Sequence, residues 1–154
     1  MKPGVFTQLY VQLVFSVQYR ECFLKEKYRG EIFRSISGII KNQKHKSIIV
    51  NGVDDHVHIL TGLNPNGSVS DLVHDIKRNS SLFINGKPWF REKFGWQEGY
   101  GAFSYGRSQL ERVYRYIEKQ EDHHRKRTFR DEYVSLLQKF RIEHDEKYLF
   151  KFFQ

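Results

Sequence analysis

The sequence predicts an α+β fold in the order β-α-β-β-α-β, the ferredoxin-like or RRM-like plan, with an antiparallel sheet and both helices on one face. Three observations predict it. Residues 7–17 alternate with a period of two, residues 25–43 change to a helical period, and two short β-like runs flank the turn dipeptide Asn51-Gly52. At 154 residues the chain suits one domain, 1–154, and is long enough to bury a substantial core.

In the first strand Leu9, Val11, Leu13, Phe15 and Val17 share one face, while Gln8, Tyr10, Gln12 and Ser16 share the other. One face should be buried, the other polar. From Lys25 to Gln43, Tyr28, Ile32, Ile36, Ile39 and Ile40 form a helical stripe. Lys46–Val50 reads as the second strand, and Asn51-Gly52 begins a turn that sends His56-Val57-His58-Ile59-Leu60 back antiparallel. Asn64-Pro65-Asn66-Gly67 breaks the pattern. Ser68 or Ser70 then caps a helix through Leu72, Val73 and Ile76 to about Phe83, and Gly86-Lys87-Pro88 ends it. The aromatic and glycine-rich residues 89–106 should hold a fourth strand near Gly95–Tyr100. Ser108 is expected to cap a helix through Leu110, Val113, Tyr114 and Ile117 to about His124, with a last helix near Asp131–Phe140. This plan leaves the second sheet face open, which suits nucleic acid or a metal site.

Composition narrows the function classes. An aromatic content of 16% argues for an ordered globule rather than a disordered tail. The formal charge of +8 suits a polyanionic partner, nucleic acid above all. A single cysteine, Cys22, excludes an intrachain disulfide and a cysteine-based zinc cluster, and fits a reducing compartment. Gln8, Gln12 and Gln18 interrupt the apolar residues of the N-terminal region, and no run approaches the length of a membrane span. The expectation is a cytoplasmic protein without membrane contact.

The chemistry concentrates on two stretches. His56 and His58 are two apart on a strand, so both imidazoles project from one face, half of a divalent-metal site. Tyr116 and Gln120 are four apart on the predicted helix after Ser108, neighbours at the margin of its apolar stripe. His56, His58 and the Gln120 amide oxygen offer three ligands, a mixed nitrogen and oxygen set suited to Mg²⁺ or Mn²⁺. Asp122, His123 or His124 could take the place of Gln120. A cation there would polarise a phosphodiester for in-line attack by the Tyr116 phenol, a poor nucleophile unaided. Tyr114 is the nearest rival, but its helical angle faces it away from Gln120. Arg125, Lys126 and Arg127, together with Lys77 and Arg78 on the earlier helix, are candidate phosphate contacts.

These residues carry a family resemblance. Asp55-His56-Val57-His58-Ile59, Ile76-Lys77-Arg78-Asn79-Ser80-Ser81, Gly99-Tyr100-Gly101-Ala102-Phe103-Ser104, Tyr116-Ile117-Glu118-Lys119-Gln120 with the following Glu121–Lys126, and Asp145-Glu146-Lys147-Tyr148-Leu149-Phe150 stand in order over nearly the whole chain. In this the chain resembles the single-tyrosine HUH transposases of the smallest bacterial insertion sequences, with the REP-associated tyrosine transposases as relatives. The resemblance implies a dimeric enzyme that binds hairpins in single-stranded DNA at element ends and cuts nearby. It implies Tyr116 as the nucleophile that becomes joined to a 5′-phosphate, leaving a free 3′-hydroxyl, with His56, His58 and Gln120 holding the metal. Tyr105-Gly106 departs from the way several members end the Phe-Ser segment.

Two other readings make different predictions. A metal-dependent nuclease or phosphodiesterase would use water as nucleophile and survive Tyr116→Phe. A non-catalytic RRM-like binder would bind nucleic acid without metal and tolerate changes at His56 and His58.

Overall fold

The computed structural model describes residues 3–153. Strand β1 (Tyr10–Ser16) leads through a short 3-10 turn into helix α1 (Glu26–Asn42). Strands β2 (Lys46–Gly52) and β3 (His56–Gly62) follow, then helix α2 (Val69–Asn85) and strand β4 (Gly101–Tyr105). Three further helices complete the order: α3 (Leu110–Glu118), α4 (Gln120–Lys126) and α5 (Phe129–Lys139). The sheet is antiparallel throughout, in the order β2-β3-β1-β4. This is the β-α-β-β-α-β plan with helices added after β4. No helix among the described residues is long and apolar enough to cross a membrane.

Period-two geometry decides which residues face which layer. Leu13 pairs with Ile59 and Phe15 with Val57, and this face joins the core with Ile32, Ile36 and Ile40 of α1 and Leu72, Val73 and Ile76 of α2. Gln12, Val14 and Ser16 lie on the opposite face, where Val14 pairs with His58 and Ser16 with His56.

That second face is not open. Gln12, Ser16, His56 and His58 are each at most 1% exposed, because α3, α4 and α5 cover it. The cause lies in α5, whose stripe of Phe129, Tyr133, Leu136 and Leu137 must be buried somewhere. Just beyond it, Phe140 packs on Phe103 and Tyr105 of β4, at ring-centroid distances of 5.0 and 5.5 Å.

Other boundaries differ for local reasons. The fourth strand is Gly101–Tyr105, not Gly95–Tyr100. Trp96 instead makes one isolated bridge to Val17 and donates its indole N–H to Ser80 Oγ at 2.9 Å, and Gly99 takes a positive φ of 90°. The expected helix from Ser108 to His124 is interrupted at Lys119, so α3 and α4 are separate, and a 3-10 turn at Arg107–Gln109 precedes α3. Asn51 explains the interruption: its Nδ2 donates to the carbonyls of Ile117 and Glu118 at 2.9 and 3.1 Å, satisfying groups that helix ends leave free. Asn51-Gly52 closes β2 rather than opening the turn. Ser68 caps α2 through Asp71 N, and Thr128 caps α5 through Asp131 N, which starts that helix at Phe129.

Gly52 sits where the chain enters the histidine strand, and a Cβ there would stand 2.4 Å from the His56 carbonyl oxygen. Gly52→Ala is expected to lower the unfolding free energy by about 1–3 kcal/mol, the usual cost of overpacking, as measured by chemical denaturation.

Candidate active site

Strand β3 aims both imidazoles at one carboxylate. His56 Nε2 and His58 Nε2 lie 3.2 and 3.1 Å from Glu132 Oε1, and all three side chains are buried. The remote nitrogens are also held. His56 Nδ1 meets Asp55 Oδ1 at 2.7 Å, and His58 Nδ1 meets Gln12 Nε2 at 2.8 Å. Gln12 in turn accepts the Tyr105 hydroxyl at 2.7 Å. Phe129 stacks on the His56 ring at 3.7 Å and fixes its plane.

The second Glu132 oxygen receives the two residues singled out on the tyrosine helix. The Tyr116 hydroxyl donates to Oε2, and Gln120 Nε2 donates to it at 3.2 Å. The interruption at Lys119 therefore does not part Tyr116 from Gln120. Arg127 Nη2 reaches the Tyr116 hydroxyl at 3.3 Å, and the His123 ring stacks on Tyr116 at 4.2 Å. His123 Nε2 is buried without a hydrogen-bond partner among the described residues.

The remaining candidates are dispersed. Tyr114 is exposed in a shallow cleft with Tyr10 and Arg115. Arg125 and Lys126 are exposed, and Arg125 pairs with Asp122 at 3.3 Å. His124 is 6.3 Å from His56 between ring centroids. Lys77 donates to the backbone carbonyls of Gln97 and Gly99, so it ties down the loop before β4, and burial lowers its pKa to about 8. Arg78 is exposed on α2.

Glu132 is the residue that sequence reasoning missed. Its signal was present: Phe129, Tyr133, Leu136 and Leu137 form the buried stripe of α5, and Glu132 falls on it, one turn after Phe129. A carboxylate on an apolar stripe needs a partner when the stripe is buried.

The charges divide within the cluster. Burial disfavours a proton on His56, but Asp55 and Glu132 outweigh it and raise its pKa to about 9. For His58 burial wins and lowers the pKa. Burial also opposes the Glu132 charge, yet His58 and His56 hold its carboxyl well below the usual range. The Tyr116 phenol is pushed up by burial and then by the Glu132 carboxylate, with Arg127 pulling the other way.

His56, His58 and Glu132 could hold a divalent cation, their ligand atoms all lying within 4.8 Å of one another. The donor chemistry fits. Ligands about 2.1 Å from one cation and 90–110° apart stand roughly 3.0–3.4 Å from each other, which brackets the two nitrogen–oxygen separations. Asp55 supplies the carboxylate that typically orients a ligating histidine. For His58, the Gln12 amide turned end for end accepts an Nδ1 proton and frees Nε2, with its NH₂ group then donating to the Tyr105 oxygen.

The family model described as "Transposase IS200 like" matches residues 5–120. The chain belongs to the IS200-like transposases. The span matched to that transposase family contains His56, His58, Tyr116 and Gln120 but ends before Glu132. No curated protein sequence matches the chain. Among solved structures, a transposase candidate from Deinococcus radiodurans R1 is 19% identical with a TM-score of 0.60, covering 78% of this chain and 96% of that one. A REP-associated tyrosine transposase bound to a REP hairpin is 11% identical with a TM-score of 0.52, covering 78% of this chain and 70% of that one. At these identities the likeness shows a shared fold.

Proposed function

We propose that residues 1–154 form one transposase domain that acts as a homodimer on single-stranded DNA, recognising hairpins at element ends and cutting and rejoining strands through a 5′-phosphotyrosine at Tyr116. The observation that carries this reading is the convergence of the Tyr116 hydroxyl, two imidazoles and the Gln120 amide on one buried carboxylate. Membership of the transposase family supports it, and the REP-associated relative bound to a hairpin supports the substrate class.

His56, His58 and Glu132 would hold Mg²⁺ or Mn²⁺, which would supply Lewis-acid polarisation of the scissile phosphate. The Tyr116 oxygen attacks phosphorus, the new oxygen–phosphorus bond forms, and the bond to the 3′-oxygen breaks. Glu132, already accepting the phenol hydrogen bond, orients that attack, while the phenol proton leaves to solvent and the departing 3′-oxygen gains one from solvent. Gln120, the ligand that the family resemblance implies, donates its amide N–H to the second Glu132 oxygen and steadies that carboxylate. Arg127, whose guanidinium reaches the Tyr116 hydroxyl, is a donor for the phosphate oxygens under attack. Arg78, Arg125 and Lys126 would contact phosphates farther along the strand, and Lys77 would act indirectly, by holding the loop before β4.

The test is transfer of label from single-stranded hairpin DNA to the protein band on a denaturing gel, with Mg²⁺ or Mn²⁺ present. Label that never moves with the protein would refute the reading.

His56 makes metal binding a proton exchange. With a pKa of about 9 before any cation binds, it carries a proton at neutral pH that must leave before Nε2 can ligate. Mn²⁺ affinity should therefore rise as pH increases toward about 9 and then level off. Calorimetry at pH 7.5 in buffers of different ionisation enthalpy should show release of about one proton per cation bound.

A further inference from the structure

Beside Tyr116 lies a cavity of about 190 Å³. Its floor is largely apolar, with Val113, Leu136 and the rings of Tyr105 and Tyr116, and three cations join the lining: Arg112 from α3, Arg127 from the α4–α5 junction and Lys139 from the end of α5. None of the three makes an ion pair with a carboxylate among the described residues, whereas Arg115 beside them is paired with Glu111. Lys139 lies over the rings of Tyr105 and Phe140, and the Arg127 guanidinium donates to the Tyr116 hydroxyl. Gln12 and Tyr105, the pair that holds His58 Nδ1, also line the cavity. Glu132 is not among the residues that line the cavity, and its carboxylate is engaged by the Tyr116 hydroxyl, the two imidazoles and Gln120.

Three uncompensated cations around a small cavity beside a nucleophile make an anion site. We infer that this cavity seats a phosphodiester of the bound single strand, the one next to the phosphate that Tyr116 attacks. The inference rests on the single-stranded DNA reading above. Its physical value is register: a neighbouring phosphate fixed by Arg112 and Lys139 fixes where along the strand Tyr116 can reach. The geometry also joins the cavity to the metal side, since Tyr105 borders the phosphate seat and, through Gln12, holds a metal-facing histidine.

The test measures binding of a fluorescein-labelled oligothymidylate by anisotropy over a series of NaCl concentrations. Wild type is compared with Arg112→Gln/Lys139→Gln and with the exposed control pair Arg91→Gln/Lys93→Gln, each checked for an unchanged melting temperature. Removing one cation from a phosphate lowers the slope of log K against log salt by about 0.7, so the first pair should lose about 1.4 in slope and roughly tenfold in low-salt affinity. The control pair should retain more of both, and charge reversal by Lys139→Glu should weaken binding further. Wild-type slope and affinity in the Arg112/Lys139 variant would overturn the inference, as would failure of the wild type to bind the strand. Millimolar phosphate that displaces the strand from wild type beyond its ionic strength would make the cavity a free-phosphate site and overturn the assignment as well. The label-transfer gel separates the two readings: an adduct with an unchanged slope removes only this inference, and a lowered slope without an adduct removes only the phosphotyrosine chemistry.

Discussion

Tyr116→Phe is expected to abolish the covalent protein–DNA adduct while leaving metal affinity within about threefold of wild type. The substitution removes one oxygen that donates to Glu132 Oε2 and receives Arg127, and leaves His56, His58 and Gln120 in their contacts with the same carboxylate. An adduct cannot form without its attacking atom, so the loss should be complete on the gel, well beyond the hundredfold to thousandfold effects of removing a stabilising donor. Metal affinity is the internal control, because a collapsed site would lose both properties together. Free cleavage products that persist in Tyr116→Phe would instead make water the nucleophile, with Glu132 placed to serve as its base. Strand binding without cleavage in any protein would favour the non-catalytic binder.

How much of this site could be read from the sequence depends on the kind of spacing involved. His56 and His58 share a strand and Tyr116 and Gln120 a helical face, so backbone period alone makes each pair neighbours. That the two pairs meet is a tertiary fact, set by the register of β3 against β1 and by the way α3 crosses the second sheet face. The element order was equally legible, because strand and helix periods are local. The fourth strand was not: Trp96 and Tyr100 have the composition of a strand, but the Trp96 indole bond to Ser80 and the positive φ of Gly99 hold that stretch as loop. The closed second face is also a tertiary outcome, since the apolar stripe of α5 shows that it must be buried but not against which layer. Glu132 was hidden for the same reason, because its role depends on contacts with residues 74 and 76 positions earlier in the chain.

Glu132 therefore makes the second large prediction. Glu132→Gln keeps the shape of the side chain and an oxygen facing the histidines but removes the negative charge. If the carboxylate is a ligand, Mn²⁺ affinity should fall by about 100-fold, the upper end of what orienting partners contribute and a lower bound for a direct ligand. That corresponds to about 2.7 kcal/mol. Two further changes should accompany it. His56 loses one of the two carboxylates that raise its pKa, so its pKa should move down from about 9 and fewer protons should leave on metal binding at pH 7.5. Gln120→Ala should cost less, about tenfold, because in this geometry its amide donates to Glu132 and acts on the cation through it. The reverse ranking, with Gln120→Ala losing the metal and Glu132→Gln keeping it, would restore the ligand set that the sequence alone suggests. Glu132 would then be a counter-ion for protonated His56, one that turns aside when the cation enters. Titrating both variants with Mn²⁺ by calorimetry decides between these arrangements without any DNA, so the answer does not depend on knowing the hairpin.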